Sequence, residues 1–105
     1  MAEAMRIRAT MQGDLADVRV AMRHPMETGM RKNDKGELVP LHFITRVVAT
    51  LNGKTVMEAH WSQGIARDPF LAFRVKGVKV GDQITVNWID DRGDKASIEA
   101  AVGGD

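Results

Sequence analysis

The amino-acid sequence predicts an all-β protein, a seven-stranded antiparallel sandwich of immunoglobulin-like type. Apolar and polar residues alternate with a period of two almost throughout the chain, and no segment shows a helical period of 3.6. Turn residues recur about every eight to twelve positions outside one long connection. Because the cysteine pair of true immunoglobulin domains is absent, the likeness concerns architecture only.

Two alternating segments separated by the turn at 12–14 predict an opening hairpin. Arg6, Arg8 and Arg19 fall on its solvent side. They form either a solvated face that protects a sheet edge or a surface for an acidic partner, and the sequence leaves both interpretations open. The apolar sides of the two strands are Met5, Ile7, Ala9 and Met11, then Val18, Val20 and Met22.

The alternation stops between His24 and Pro40, which is a long connection for a compact domain. Gly29 and the run at 33–36 are typical of turns, and Pro40 closes the segment. Apolar residues within it predict that the connection packs down on the body of the protein. These residues are Met26, Met30, Leu38 and Val39.

A long strand follows, and the alternation places Ile44, Val48 and Thr50 on the face opposite to that of Phe43, Thr45, Val47, Ala49 and Leu51. Asn52-Gly53 then gives the strongest hairpin signal in the chain, because both residues tolerate the positive φ of a type I′ turn. A second irregular connection covers 62–69. Trp61 and Trp88 lie in later strands and are predicted to anchor the core.

Composition restricts the class of protein without naming a function. A chain of 105 residues predicts one domain, covering 1–105. Fifteen basic and fourteen acidic residues give a net charge of +1, which excludes a strong field for nucleic acid or membrane surfaces. Without cysteine there is no disulfide, thiolate nucleophile or cysteine zinc site. The start of the chain has no apolar region, so we expect no secretion signal of its own.

Three histidines on separate segments raise the hypothesis of a metal-binding or redox sandwich, since histidine sets bind zinc: His24, His42 and His60. Their spacing shows no local pairing and favours ordinary surface histidines. Asp90, Asp91 and Asp94 crowd one turn and are predicted to be solvated carboxylates rather than calcium ligands. No serine elbow or phosphate loop is present, so the residues favour an interaction module over an enzyme.

The most specific motif is His24-Pro25-Met26-Glu27-Thr28-Gly29, within the segment 23–32. Together with Pro40-Leu41-His42-Phe43-Ile44 it resembles the SoxZ family, the Z subunits of the SoxYZ carrier in bacterial thiosulfate oxidation. The resemblance covers nearly the whole chain in the family's order. It continues through the segments 52–56, Trp61, 68–73, 79–82 and 88–95.

The resemblance implies an immunoglobulin-like, non-catalytic subunit without a cofactor, which forms a heterodimer with SoxY. Sulfur intermediates are then carried on a SoxY cysteine, in agreement with the absence of cysteine here. Through SoxY we expect contact with the SoxAX cytochrome, the SoxB hydrolase and the SoxCD sulfur dehydrogenase, and no contact with nucleic acid or membrane. The implied location is the periplasm, reached by export together with SoxY. An isolated chain is expected to self-associate through exposed apolar residues.

We expect the motif to be the partner-binding element, because it lies in a loop and contains two apolar residues of exposed type, Pro25 and Met26. The alternative is that its first three residues only shape the loop and pack on the core. The sequence leaves both open. The residues assigned to partner binding are His24, Pro25, Met26, Glu27, Thr28 and Gly29.

Overall fold

Seven antiparallel strands form two sheets in a computed structural model, which describes residues 5–104. The predicted all-β sandwich is confirmed, and no helix, membrane-spanning or otherwise, occurs in the described residues. The strands are β1 (Met5–Gln12), β2 (Leu15–Met22), β3 (Ile44–Leu51), β4 (Lys54–His60), β5 (Phe70–Lys76), β6 (Gln83–Asp90) and β7 (Lys95–Ala101).

The strand order is β1-β2-β5 in one sheet and β4-β3-β6-β7 in the other. Three hairpins, β1–β2, β3–β4 and β6–β7, supply the pairings between consecutive strands. The chain crosses between the sheets in the long connection after β2 and again in the connections around β5. Gly103 joins the sheets at one side, because its N–H donates to Ala9 O and its carbonyl accepts from Met11 N, both at 2.9 Å.

The core lies between the inner faces of the two sheets, where alternate positions of each strand meet. Val18 and Val20 of β2 and Ile84 and Val86 of β6 are fully buried, as the period-two pattern predicts. Trp88 is buried as expected, whereas Trp61 is only half-buried against the core.

The predicted faces of β3 are wrong at its start. The pairing with β6 shifts register between Ile44 and Arg46, so this part of the strand contains a bulge. One extra residue reverses the alternation, and Ile44 is therefore fully buried on the same side as Val47 and Ala49. A bulge depends on the partner strand, and the period of a single strand does not reveal it.

The long connection folds into a two-stranded ribbon. Glu27 and His42 exchange backbone hydrogen bonds of 2.6 and 3.0 Å at its base, and Lys32 pairs with Leu38 further out. At the tip, Asn33 Oδ1 accepts from the N–H groups of Lys35 and Glu37, at 2.9 and 3.0 Å. We call residues 30–38, which are all exposed, the arm.

The prediction that this connection packs down is right at the base and wrong in the arm. Met26 is buried and Val39 is half-buried, but Met30 is 78% exposed and Leu38 is 60% exposed. The protein measures 52 × 23 × 22 Å, whereas an eight-residue strand is about 27 Å long. An exposed ribbon at one end of the sandwich agrees with this elongated shape.

Asn52 and Gly53 have φ angles of 50° and 88°, so the predicted tight turn is confirmed. An alanine at Gly53 would meet no atom within 4 Å, and its cost comes from the left-handed backbone alone. We expect Gly53→Ala to lower the free energy of unfolding by about 1 kcal/mol, measured by urea denaturation. Gly64→Ala, where φ is not positive, is the control; equal losses in both variants would contradict the explanation.

Candidate functional site

Asp90, the last residue of β6, is buried rather than solvated, and the prediction for this carboxylate is wrong. Only 4% of the residue is exposed. Asp90 continues the inward series of Ile84, Val86 and Trp88, so the alternation of β6 already indicated its direction. Asp91 and Asp94, in the turn that follows, are exposed as predicted.

Four hydrogen bonds surround this carboxylate. Oδ2 accepts from Nε2 of His24 at 2.9 Å and from Nε2 of His42 at 2.7 Å. Oδ1 accepts from the backbone N–H groups of Arg92 at 3.0 Å and Asp94 at 2.9 Å. We call Asp90, His24 and His42 the Asp90 cluster. A buried carboxylate is tolerated because all of its accepting positions have partners.

The surroundings of Asp90 act on its pKa in opposite directions. Burial alone would raise the pKa, because it penalises the charged form. The hydrogen bonds from His24 and His42, and those from the N–H groups of Arg92 and Asp94, outweigh burial and lower the pKa to about 2. Asp90 is therefore a carboxylate throughout the physiological range, and it has no role as a proton donor there.

The proton position on His24 follows from its contacts. Nδ1 accepts the backbone N–H of Met26 at 3.1 Å, so it carries no proton of its own. The proton of a neutral ring must then be on Nε2, which donates it to Asp90. The ring also lies edge-on to Trp88 and His42, with centroid distances of 5.0 and 4.6 Å.

One residue of the His-Pro-Met segment and one residue that contacts it have unusual backbone conformations. Met26 has a φ of 48° and Asp68 has a φ of 51°, in the region that residues with a side chain seldom adopt. Asp68 Oδ1 accepts from His24 N at 3.1 Å, and Asp68 N donates to His24 O at 3.0 Å. The Met26 sulfur accepts from Ile44 N at 3.3 Å. These contacts tie the segment to the connection at 61–69 and to β3.

The structure assembles two of the three histidines of the metal hypothesis, together with Asp90. The ligand-type atoms of the Asp90 cluster lie within 4.8 Å of one another. His60 is not part of this cluster; it is exposed on β4 and contacts Glu58 Oε2 at 2.8 Å. A sequence scan by spacing misses the cluster, because His24 and Asp90 are 66 positions apart.

The hydrogen bonding of the Asp90 cluster fits a structural role better than a metal centre. A neutral histidine that coordinates through Nε2 carries its proton on Nδ1. In His24, however, Nδ1 faces the N–H of Met26, and a proton there would oppose that donor. Both histidines also donate to one oxygen of Asp90, so each ligand atom already has a partner.

The six motif residues predicted to bind a partner separate into buried and accessible ones. His24 and Met26 are each 4% exposed, so the expectation that the Met26 side chain is exposed is wrong. Their burial supports the alternative that these two residues shape the loop. Pro25 is exposed, and Glu27, Thr28 and Gly29 are half-buried. Partner binding by the motif stays a prediction.

Glu27 links the motif to the arm. Its carboxylate accepts from Arg31 Nε at 2.9 Å and also from Arg31 Nη2, in a two-pronged ion pair. The hydrogen bond from Arg31 lowers the pKa of Glu27, and burial opposes it only in part. The first residues of the arm are thus held to its base by charge-assisted hydrogen bonds.

Comparison with protein families gives one decisive result. A family model described as "Sulphur oxidation protein SoxZ" matches residues 5–101 of the 105-residue chain. The chain belongs to the SoxZ family. It is therefore a sulfur-oxidation protein, and the resemblance seen in the sequence is confirmed. A comparison with curated proteins gives no match.

Removing the Asp90 carboxylate from this SoxZ-family chain should destabilise it strongly. Asp90→Ala leaves two histidine N–H groups and two backbone N–H groups without their acceptor. We expect a loss of about 3 kcal/mol in the free energy of unfolding, measured by urea denaturation.

Asp94→Ala is the matched control, since Asp94 lies in the same turn with an exposed side chain. We expect it to change the free energy of unfolding by about 0.5 kcal/mol or less. Where Asp90→Ala fails to fold, His42→Ala, which removes one hydrogen bond at a half-buried position, replaces it. Similar stabilities for the wild type and both cluster variants would contradict the structural role.

Acid should weaken the fold through Asp90. Its pKa falls from 3.8 to about 2 on folding, so its contribution is complete above the unfolded value and is lost as pH falls towards 2. This shift corresponds to roughly 2 kcal/mol. We expect wild-type stability to fall by about that amount more than Asp90→Asn stability between about pH 5 and pH 2. Parallel pH profiles of unfolding free energy would be evidence against it.

Proposed function

We propose that this chain is the non-catalytic Z subunit of a SoxYZ sulfur carrier, and that it forms a heterodimer with SoxY. The observation that carries the proposal is the family match over residues 5–101. The absence of cysteine supports it, because the chain has no thiol on which a sulfur intermediate could be held. The covalent chemistry then belongs to the cysteine of SoxY.

The hydrogen bonding of the buried polar residues supports a non-catalytic role. In the described residues, the buried polar or charged residues are His24 and Asp90. They form hydrogen bonds with each other and with neighbouring groups. A catalytic acid or base needs a position from which it reaches a substrate proton. Neither residue has such a position, because their hydrogen-bonding atoms face protein donors and acceptors.

The arm is the surface we assign to SoxY. Lys32 pairs with Leu38, so Met30 and Leu38 lie diagonally on one face of the ribbon. Both side chains are mostly exposed, and Leu41 at the base adds further exposed apolar surface. Neighbouring apolar side chains in water are typical of protein interfaces, and an unbranched methionine adapts to an irregular partner surface.

The base of the arm supports the same assignment. Backbone pairing of Glu27 with His42, and the hydrogen bond of His42 to Asp90, attach both ends of the ribbon to the core. A surface that is already ordered loses less conformational entropy on binding. Through SoxY, the complex would meet the SoxAX, SoxB and SoxCD enzymes in the periplasm, which the chain would reach by export together with SoxY.

Co-expression with a cognate SoxY tests the proposal and the arm together. We expect the wild type to co-purify as a 1:1 complex in size-exclusion chromatography with mass detection. Met30→Asp/Leu38→Asp places two charges on an apolar contact and should weaken the complex at least 100-fold. Fold stability should change by less than about 0.5 kcal/mol, because both residues are exposed.

Val80→Asp is the matched control, because Val80 is 64% exposed and lies outside the arm in the turn before β6. It should leave the complex with SoxY intact. Absence of any wild-type complex at micromolar concentrations would contradict the carrier function. A normal complex with the double variant would contradict only the assignment of the arm.

A further inference from the structure

The outer face of the three-stranded sheet has an uneven charge. Arg19 lies on β2 between Ala72 of β5 and Arg8 of β1, and Asp17 lies opposite Arg74. Alternation places five cations and one carboxylate, Asp17, on this face. It therefore has a formal charge of +4, although the whole chain has a net charge of only +1. We call this face the basic face. Its cations are Arg6, Arg8, Arg19, Arg74 and Lys76.

Two of these cations stand in an arrangement that disfavours folding. Arg8 and Arg19 are direct cross-strand partners, and like charges at such positions repel. Asp17 contacts Arg19 at 3.0 Å and Arg74 at 3.9 Å, so the single carboxylate is shared. Arg8 has no ion-pair partner among residues 5–104. Folding alone gives no reason for an arginine opposite another arginine.

Edge protection accounts for the four cations on the edge strands β1 and β5, but not for Arg19. Arg19 lies on β2, the central strand of its sheet, where there is no free edge to protect. The outer face of the other sheet shows the contrast. Arg46 and Lys95 are balanced there by Glu58 and Glu99, and Arg46 contacts Glu58 at 3.1 Å. Charge is thus concentrated on one face and neutralised on the other.

We propose that the basic face docks an acidic surface of a partner protein other than SoxY. Carboxylates that approach Arg8 and Arg19 would remove their mutual repulsion, so the unfavourable pair becomes favourable in the complex. Ala72, opposite Arg19, and Ala21 add only a methyl group each to the face, and Phe70, opposite Ala21, is 64% exposed. Arginine and aromatic residues are enriched at the energetic centres of protein interfaces.

Nucleic acid fits these observations less well. Domains that bind nucleic acid commonly have an isoelectric point above about 9, whereas the value here is about 8.2. The inference rests on the proposed function in one respect, because the acidic partner would be an enzyme that acts on the carrier.

Charge reversal on the SoxY complex gives the direct test. Binding to the cognate SoxAX, SoxB and SoxCD enzymes is measured by biolayer interferometry at 20 and 200 mM salt. We expect Arg8→Glu/Arg19→Glu to weaken the binding of at least one enzyme tenfold or more at low salt, mainly through slower association. Lys54→Glu/Lys95→Glu, with the same change of charge at exposed positions of the other sheet, should change binding less than twofold.

A stability measurement separates docking from a structural role. Arg8→Glu alone places a carboxylate opposite Arg19, so the urea midpoint should rise while enzyme binding falls. If Arg8 instead served folding, Arg8→Glu would lower the urea midpoint as well as enzyme binding. Unchanged binding of all three enzymes, or equal loss in the control variant, overturns the inference. Loss of SoxY from Arg8→Glu/Arg19→Glu also overturns it, because the basic face would then be the SoxY interface.

A second probe keeps the test independent of SoxY. The isolated chain is titrated with a fluorescein-labelled peptide of twelve glutamates and with a twelve-base-pair DNA duplex. We expect the peptide to bind and Arg8→Glu/Arg19→Glu to weaken it at least tenfold. Absence of peptide binding, or tighter binding of the duplex, overturns the inference whether or not the chain pairs with SoxY.

Discussion

The carboxylate of Asp90 is the group on which the connections at one end of the strands depend. It accepts from His24 and His42, at the two ends of the long connection, and from two N–H groups of the β6–β7 turn. His24 in turn exchanges hydrogen bonds with Asp68, in the connection before β5. Leaving such a charge buried without partners is costly, so each segment is held where it satisfies Asp90. One side chain thereby links the long connection directly to the β6–β7 turn, and through His24 to the connection before β5.

This arrangement explains why the base of the long connection is buried and the arm is exposed. At the base, the polar atoms of His24, Met26 and His42 form hydrogen bonds within the protein, and the left-handed backbone of Met26 is tolerated because its buried side chain and N–H both have partners. In the arm, backbone pairing and the exposed side-chain hydrogen bonds of Asn33 and Arg31 maintain the ribbon, and the apolar side chains of Met30 and Leu38 face water. Buried hydrogen bonds thus hold the base in place, whereas the exposed apolar surface of the arm is free for the proposed contact with SoxY.

The sequence predicts the sheets well and the Asp90 cluster poorly, for a physical reason. Alternation is a property of neighbouring residues, so it identifies the inward sides of β1, β2 and β6, and Asn52-Gly53 specifies its own turn. The bulge in β3 depends on pairing with β6, so the sequence of β3 alone does not predict it. The cluster joins His24 to a residue 66 positions away, so only the inward direction of Asp90 was open to prediction.

The two proposed surfaces differ in chemistry, and that difference matches what the proposed carrier function would require. A subunit that stays with one partner benefits from apolar contacts, whose strength lies in slow dissociation. A carrier that serves several enzymes in turn must also let each of them go. A charged face accelerates encounter and adds little to the lifetime of the complex, since rim charges act mainly on association. In this proposal Arg8, which lies opposite Arg19 without a carboxylate of its own among residues 5–104, costs some fold stability and favours rapid, reversible docking.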